Sequence, residues 1–384
     1  MSEIIVENSN KKPNQRAMGA IILIVLILIV CVVAAIKTFT TGSDNTIKVY
    51  GAVGGGKENL LADEEFNNIL KDKYGITVIN DSWSNGKLVK NSVLRTDGSH
   101  YDFIFFSDQR FYDYYKTSAN KANGEADRET VLNGSLTLNT PIVIYSWDTV
   151  VDALMNENIV TEKDGVYYIT DMDKLLNYIL EGKTWKDIGL DSLYGSINIA
   201  STDPVSSSPG ATYYGLLLSI MCGGEVTENN IEQNLPKLKE FYEKSGYMNN
   251  TPADLFDMYL KTGVGAKPMI VDYEKSIIDF ANSNPDGYAQ VKDKMRILYP
   301  VPTIWNSHCI ATLTENGNKY YEAFNDKDIQ QLAWSKYGFR TGVTGGNYDV
   351  TSVGVSGVPQ TIDTTVSGLR MNIYTRLIEY LSQK

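Results

Sequence analysis

Histidine and cysteine are scarce in this 384-residue sequence, which holds two histidines and three cysteines. His100 and His308 lie far apart and neither has a metal-ligand pattern near it, so a histidine-based catalytic centre or metal cluster is not supported. Three cysteines, Cys31, Cys222 and Cys309, are too few for a disulfide framework. We expect Cys222 and Cys309 to be buried free thiols, although the two could pair outside the cell.

Basic side chains are also in the minority, with 35 Lys and Arg against 46 Asp and Glu and a formal net charge of −11. Nucleic acid is therefore excluded as a partner, because a phosphate backbone needs a basic face. Hydrolase motifs are missing too: H-E-x-x-H does not occur, and Gly354–Val358 fails the G-x-S-x-G pattern at its last position. We expect no enzyme, no cofactor and no metal site, with an extracellular enzyme as the least favoured alternative.

One long uncharged run is present, Ala17–Ile36, and it is about long enough to cross a bilayer. Lys11, Lys12 and Arg16 precede it, which predicts a cytoplasmic N-terminus and an extracellular main domain. A cleaved signal peptide is the alternative, but its apolar region usually has only ~7–15 residues and no A-x-A-like site follows. The predicted segments of this single-pass cell-membrane protein are a cytoplasmic tail at 1–16, a transmembrane signal anchor at 17–37 and a tether at 38–45.

From Thr46 onward, short apolar strands alternate with helical stretches. Ile47–Tyr50, Ile76–Asn80 and Tyr101–Phe106 have the composition of strands, and Leu369–Leu381 predicts a closing amphipathic helix. The alternation favours an α/β fold in which helices cover a parallel sheet. Any site is then expected in the loops beyond the carboxyl ends of the strands.

The loop after the first strand is rich in glycine. Gly51–Glu58 reads GAVGGGKE, one residue short of the P-loop spacing, and Glu58 stands where a P-loop has the Ser or Thr that holds Mg²⁺. Nucleotide binding is therefore disfavoured. Two interpretations stay open: backbone N–H groups of this turn reach a bound group, or the turn needs glycine only for its conformation.

Small hydroxyl and amide side chains follow the second and third strands. Ser82, Ser84 and Asn85 come after the second strand, and Ser107 comes after the third. Each alone is a common N-cap or turn residue. Because successive strand ends meet at one edge of a sheet, their shared position favours a binding edge.

A further polar loop begins at Ser201 and leads into an apolar helix. Ser208 is expected to be the N-cap and Pro209 the first helical residue. The helix N-terminus and the surrounding hydroxyls form a site for an anion or polar ligand, and a capped turn without a ligand is the alternative. Tyr273 ends a later strand, where its hydroxyl either donates to a ligand across a cleft or is simply interfacial.

Five longer blocks carry a family resemblance: LNTPIVIYSWD at Leu138–Asp148, INIASTDPVSSSPG at Ile197–Gly210, MIVDYE at Met269–Glu274, YPVPTIWNSHCIATL at Tyr299–Leu313 and FNDKDIQQLAWSKYGFRT at Phe324–Thr341. Over about Thr46–Lys384 the chain is similar to bacterial extracellular solute-binding proteins of type II, and most of all to their molybdate-like branch. The resemblance implies two α/β lobes, joined by two crossovers, that close over a ligand. Lobe one is expected at 46–140 and 306–384, and lobe two at 141–305.

The resemblance also implies which residues face the ligand. They are Gly54, Gly55, Ser84, Asn85, Ser206, Ser207 and Tyr273, to which the strand-end argument adds Ser107. The sequence departs from the oxyanion binders in two loops, GAVGGG at 51–56 and SNG at 84–86, where those proteins have Ser beside small residues. A transmembrane anchor is a further departure, because secreted members are usually released or lipid-anchored.

The expected function is a membrane-tethered solute-binding protein that delivers a small polar ligand to an ABC importer, with an oxyanion as one candidate. Closure of a hinge would replace the ligand's water shell by N–H groups and hydroxyls. The alternative is a surface sensor or assembly protein that uses the same fold and a membrane partner without transport.

Overall fold

A computed structural model describes residues 46–89, 93–119, 130–246, 248–342 and 349–383. The tail, signal anchor and tether predicted at 1–16, 17–37 and 38–45 lie outside these residues. Among the helices that the structure does describe, none combines the length and the apolar character that a membrane crossing requires.

The strands are β1 (Ile47–Val53), β2 (Ile76–Ser82), β3 (Phe103–Phe106), β4 (Asn133–Trp147), β5 (Val160–Lys163), β6 (Val166–Ile169), β7 (Met269–Tyr273), β8 (Met295–Pro300), β9 (Thr303–Thr312), β10 (Arg340–Thr341) and β11 (Thr365–Val366). The first three strands and β7 occur where apolar, β-branched and aromatic residues predict them.

The helices are α1 (Glu58–Ala62), α2 (Glu64–Tyr74), α3 (Asn85–Leu88), α4 (Gln109–Ala119), α5 (Asp148–Asn156), α6 (Met172–Leu180), α7 (Ser208–Met221), α8 (Ile231–Lys244), α9 (Pro252–Thr262), α10 (Glu274–Ser283), α11 (Pro285–Val291), α12 (Glu315–Ala323), α13 (Lys327–Tyr337) and α14 (Met371–Ser382). Single 3₁₀ turns occur at Trp185–Ile188 and Val350–Val353.

The strands form a sheet in the order β2-β1-β3-β9-β4-β8-β6-β5, with β7 and β10 paired to β4 and β11 paired to β9. β1 runs parallel to β2 and β3, as the alternating pattern predicts. β9, however, is antiparallel to both β3 and β4, so the sheet is mixed and the prediction of a parallel sheet is wrong for its centre. The reason is that β9 continues from β8 in the same direction, antiparallel to β4 throughout, so it enters lobe one from lobe two and not through a crossover helix from β3.

β4 belongs to both halves of the sheet. Its first part pairs with β9 as far as Pro141, whose partner is Trp305. Its second part pairs with β7 and β8, beginning at Ile142, whose partner in β7 is Tyr273. We use lobe one for the half built on β1, β2, β3 and β9, and lobe two for the half built on β5, β6, β7 and β8.

Each lobe has its own apolar core. In lobe one, helices α2 and α12 cover one face of the sheet, where the rings of Phe66 and Phe324 lie 5.8 Å apart. Helix α4 covers the other face, where Tyr115 packs 5.6 Å from Phe106 between ring centroids. A larger cluster fills lobe two around α7. Burial on both faces accounts for the continuous apolar run of β3.

Helix α7 lies inside lobe two, and its residues from Pro209 to Ser219 are buried. Its N-cap is Ser207, so the predicted cap at Ser208 is wrong by one residue. The Ser207 hydroxyl donates to Thr202 Oγ1 at 2.8 Å and caps no helical N–H group. The loop therefore ends in a hydroxyl pair that holds its own conformation.

The C-terminal helix α14 contacts elements of both lobes. Its buried face is formed by Ile373, Leu377 and Leu381, which confirms the predicted amphipathic helix. On one side Arg376 binds Glu232 of α8 at 2.7 Å. On the other side the ring of Tyr374 lies over the Arg110 guanidinium in α4, 4.3 Å away.

Candidate functional site

Three of the predicted site residues, Gly54, Asn85 and Ser107, meet at the carboxyl ends of β1, β2 and β3. Asn85 Nδ2 donates to Ser107 Oγ at 2.8 Å, and Ser107 N donates to Asn85 Oδ1 at 3.2 Å. Gly54 lies against this pair so closely that a Cβ there would be 2.8 Å from Asn85 Oδ1. The expected convergence of strand ends therefore exists, but these polar groups hydrogen-bond to one another.

The neighbouring glycines serve the same turn. Gly56 has φ +88°, which glycine adopts readily and other residues do not. Its N–H donates to both carboxylate oxygens of Glu58, at 3.0 and 2.8 Å. The carboxylate of the chain itself thus occupies the position in which this N–H would hold an external anion. Gly55 is exposed, and so is Ser84, which precedes α3 without capping it through its side chain.

The predicted residues of the loop before α7 bond within that loop. Ser207 is buried and pairs with Thr202, while Ser206 is exposed and its N–H donates to Asp203 O at 3.2 Å. Both serines lie at the start of α7, as the sequence predicts.

Tyr273 ends β7 and is only 7% exposed. Its Oη makes no hydrogen bond of good geometry within the described residues, although the Thr212 hydroxyl lies near it. Burial raises the pKa of Tyr273 well above its usual value, the Asp108 carboxylate raises it further, and the Thr212 hydroxyl lowers it slightly. This hydroxyl is therefore neutral, and among the described residues its hydrogen has no well-placed acceptor.

Beside it lies an ion pair that the sequence analysis did not single out. Arg110 Nε donates to Asp108 Oδ1 and Oδ2, both at 3.0 Å, and both side chains are buried. Asp108 Oδ1 also accepts the Arg110 backbone N–H at 2.9 Å. The carboxylate at the end of β3 thus caps α4. An Asp two residues before an Arg at a predicted strand end was the available clue.

A cavity of about 1020 Å³ adjoins this ion pair. Its walls come from the start of α4, from β4 and β9 where they join the lobes, from α7, and from the C-terminal segment. The main polar and aromatic lining residues are Asp108, Arg110, Asn139, Thr212, Trp305, Asn306, Ser307, Arg370 and Arg376.

None of the eight predicted residues is part of this lining. Two lie next to it: Ser107 O accepts Asn306 Nδ2 at 3.0 Å, and Tyr273 has Asp108 and Arg110 as electrostatic neighbours. The sequence analysis missed the lining because it is assembled from segments hundreds of residues apart, each without a recognisable motif.

Two buried basic side chains lie behind the glycine turn. Lys57 is 2% exposed, and its ammonium donates to Gly54 O at 2.6 Å. Burial lowers the pKa of Lys57 to about 7, although the charge of Glu58 opposes that shift. Desolvation also lowers the pKa of His308 well below its usual value, with the Lys57 charge acting in the same direction.

In the part of the chain that the structure describes, His308 has a hydrogen-bond partner on only one of its two ring nitrogens. Its Nε2 accepts Asn306 Nδ2 at 3.1 Å, so Nδ1 carries the proton. Nδ1 is buried and has no partner among the described residues. Across the described ranges no cluster of three His, Cys, Asp or Glu side chains could hold a metal ion. In the same ranges Cys222 and Cys309 are free thiols, Cys309 being buried and Cys222 partly buried.

No family profile matches the chain, and no curated protein is similar to it. Solved structures are similar in fold. Apo ferric ion-binding protein A of Pasteurella haemolytica is 13% identical with a TM-score of 0.55, over 87% of this chain and 95% of that one. An ABC transporter structure from Clostridium perfringens is 15% identical with a TM-score of 0.54, over 87% and 97%.

The substrate-binding protein of an ABC transporter from Agrobacterium tumefaciens is 16% identical with a TM-score of 0.53, over 89% of this chain and 95% of that one. At sequence identities this low, the similarity establishes the fold but neither the ligand nor the function. This chain has the two-lobed α/β fold of extracellular solute-binding proteins.

Proposed function

We propose that this chain is an extracytoplasmic solute-binding protein that captures a small polar solute between its lobes for an ABC importer. The observation that carries the proposal is the cavity, whose walls come from both lobes and from the two strands that join them. Bending of β4 and β9 would open and close it, with wall amides and hydroxyls replacing the solute's water shell. The similar structures described above include two ABC transporter proteins and a ferric ion-binding protein, which supports this assignment.

The lobe boundaries are part of the proposal: 46–140 with 306–384, and 141–305. The change of β4 partners between Pro141 and Ile142 supports them. Helix α14 is one exception to a simple division, because it also packs against α8 of lobe two. Arg340 is another, because its Nε binds Glu274 of lobe two at 2.6 Å.

A narrower proposal places the chain in the molybdate-like branch, with a transmembrane anchor at 17–37 and the main domain outside the cell. It rests on the sequence blocks and on the apolar run Ala17–Ile36. In this narrower proposal an oxyanion is the candidate ligand, and the residues predicted to face it are Gly54, Gly55, Ser84, Asn85, Ser107, Ser206, Ser207 and Tyr273.

The test is thermal unfolding of the full-length chain in detergent against oxyanions, ferric citrate, amino acids and neutral sugars. A solute at ~100 times its Kd should stabilise the protein by roughly 2.7 kcal/mol. A shift that Thr212→Val abolishes assigns the solute to the cavity, whereas one that only Ser206→Ala with Ser207→Ala abolishes assigns it to the predicted loop. If no solute shifts the transition, the transport proposal fails and a sensor or assembly role replaces it.

A further inference from the structure

We propose that the cavity takes a neutral, hydroxyl-rich organic solute of the carbohydrate class and not a bare ion. This inference rests on the proposed function and assigns the class of its solute. It follows from the size of the cavity, from the pairing of its three guanidinium groups and from neutral wall groups that keep free donors or acceptors.

Size is the first observation. The cavity has about 1020 Å³, at the upper end of the range for sites that enclose small organic molecules. A water molecule takes about 30 Å³ in the liquid, so a small oxyanion would leave most of the cavity to solvent. A solute with the dimensions of a mono- or disaccharide fills it far better.

The charged walls are the second observation. Three guanidinium groups line the cavity, and each already binds a carboxylate: Arg110 binds Asp108, Arg370 binds Glu225 at 2.9 Å, and Arg376 binds Glu232 at 2.7 Å. The N-terminus of α4, which would otherwise attract an anion, is occupied by the Asp108 carboxylate. An anionic solute would have to compete with these internal pairs.

The neutral groups are the third observation. Asn306 donates its amide hydrogens to Ser107 O and His308 Nε2, which leaves its Oδ1 as an acceptor. Ser307 Oγ donates to Asn139 Oδ1 at 2.7 Å, so the Asn139 amide keeps its N–H donors. Together these wall groups offer donors and acceptors of the kind that hydroxyl groups match.

An aromatic surface completes this set. Trp305 lines the cavity beside Asn306 and is partly exposed. A flat indole in a cavity that also contains amide groups suits a sugar ring, whose C–H face packs on an aromatic plane while its hydroxyls bond to amides. A bare oxyanion has no apolar face to use this surface.

The test is a tryptophan-fluorescence titration of the full-length chain in detergent with neutral mono- and disaccharides, and in parallel with sulfate, molybdate, ferric citrate and amino acids. We expect one saccharide to bind with little dependence on salt, since no charge on the solute is screened. Trp305→Ala should weaken binding about tenfold and Trp305→Phe less. Tyr194→Ala, at an aromatic residue that is 91% exposed, is the matched control and should leave the affinity unchanged.

Three results would overturn the inference. Binding of an oxyanion or ferric ion in place of saccharides would show that the solute class is wrong while solute binding stands. Saccharide binding that survives Trp305→Ala unchanged would show that the sugar occupies another site. If no solute of any tested class binds, both the proposed solute-binding function and the inference of a carbohydrate solute are wrong.

Discussion

Two polar clusters lie beside the cleft of this protein. They differ in how many of their hydrogen-bond donors and acceptors are without a partner in the described part of the chain. At the strand ends, Asn85 and Ser107 use their donors and acceptors on each other, and Gly54 is pressed against them. In the cavity wall, Asn139 accepts the Ser307 hydroxyl through Oδ1 and keeps its amide N–H donors. The first arrangement is typical of structural support and the second of a binding surface, because donors without a protein partner remain available to a ligand.

Breaking the strand-end cluster should have the largest effect. Gly54→Ala places a Cβ 2.8 Å from Asn85 Oδ1 and should lower the free energy of unfolding by about 2–3 kcal/mol in urea titrations. Gly55→Ala is the matched control, because its Cβ would meet only the flexible Glu58 carboxylate, at 3.2 Å. Equal effects of the two substitutions would contradict a supporting role for Gly54.

The pH dependence of stability tests the burial of Lys57 behind this cluster. Its pKa falls from 10.5 to about 7 on folding, so the unfolded chain binds more protons between these values. The free energy of unfolding should therefore rise with pH, by about 2 kcal/mol between pH 7 and pH 9. Lys57→Met, compared over the same range, should lose that rise; a slope shared by both proteins would show that other groups cause it.

A smaller effect separates paired from unpaired hydroxyls. Ser207→Ala removes the donor to Thr202 Oγ1 and should destabilise the solute-free protein by about 1 kcal/mol. Tyr273→Phe removes a hydroxyl that makes no well-formed bond, so the same protein should be unchanged or up to about 1 kcal/mol more stable. Its affinity for a solute in the cavity should also be unchanged, because Tyr273 is not part of the lining. Denaturant titrations without solute measure the change in stability, and binding curves measure the affinity for the solute.

The smallest effect is expected at the surface of α14. The side chains of Arg376 and Glu232 are 37% and 56% exposed, and ion pairs at the surface contribute little to stability. Arg376→Gln should leave the melting temperature nearly unchanged in physiological salt. A large drop in differential scanning calorimetry would show that α14 depends on this pair more than on its buried Ile373, Leu377 and Leu381.

The sequence predicts the local elements well and the assembled site poorly. The strands β1, β2, β3 and β7 and the C-terminal helix follow from apolar runs and periodicity that neighbouring residues carry. The antiparallel orientation of β9 cannot be predicted from such local patterns, because it depends on how the chain enters lobe one after leaving lobe two. Hydroxyls at strand ends predict a polar edge of the sheet. The sequence alone does not determine whether the Asn85 side chain hydrogen-bonds to a ligand or to Ser107. The cavity lining escapes prediction for the same reason: its residues meet only in the folded chain.

The course of β4 has a consequence for how the protein unfolds. One continuous strand of 15 residues supplies hydrogen bonds to both halves of the sheet. Loss of its pairing in either lobe frays the same backbone in the other, which couples the two halves as strongly as a shared core would. Calorimetric heating should therefore give one transition whose van't Hoff and calorimetric enthalpies agree, and a bound solute should displace that whole transition and not one part of it.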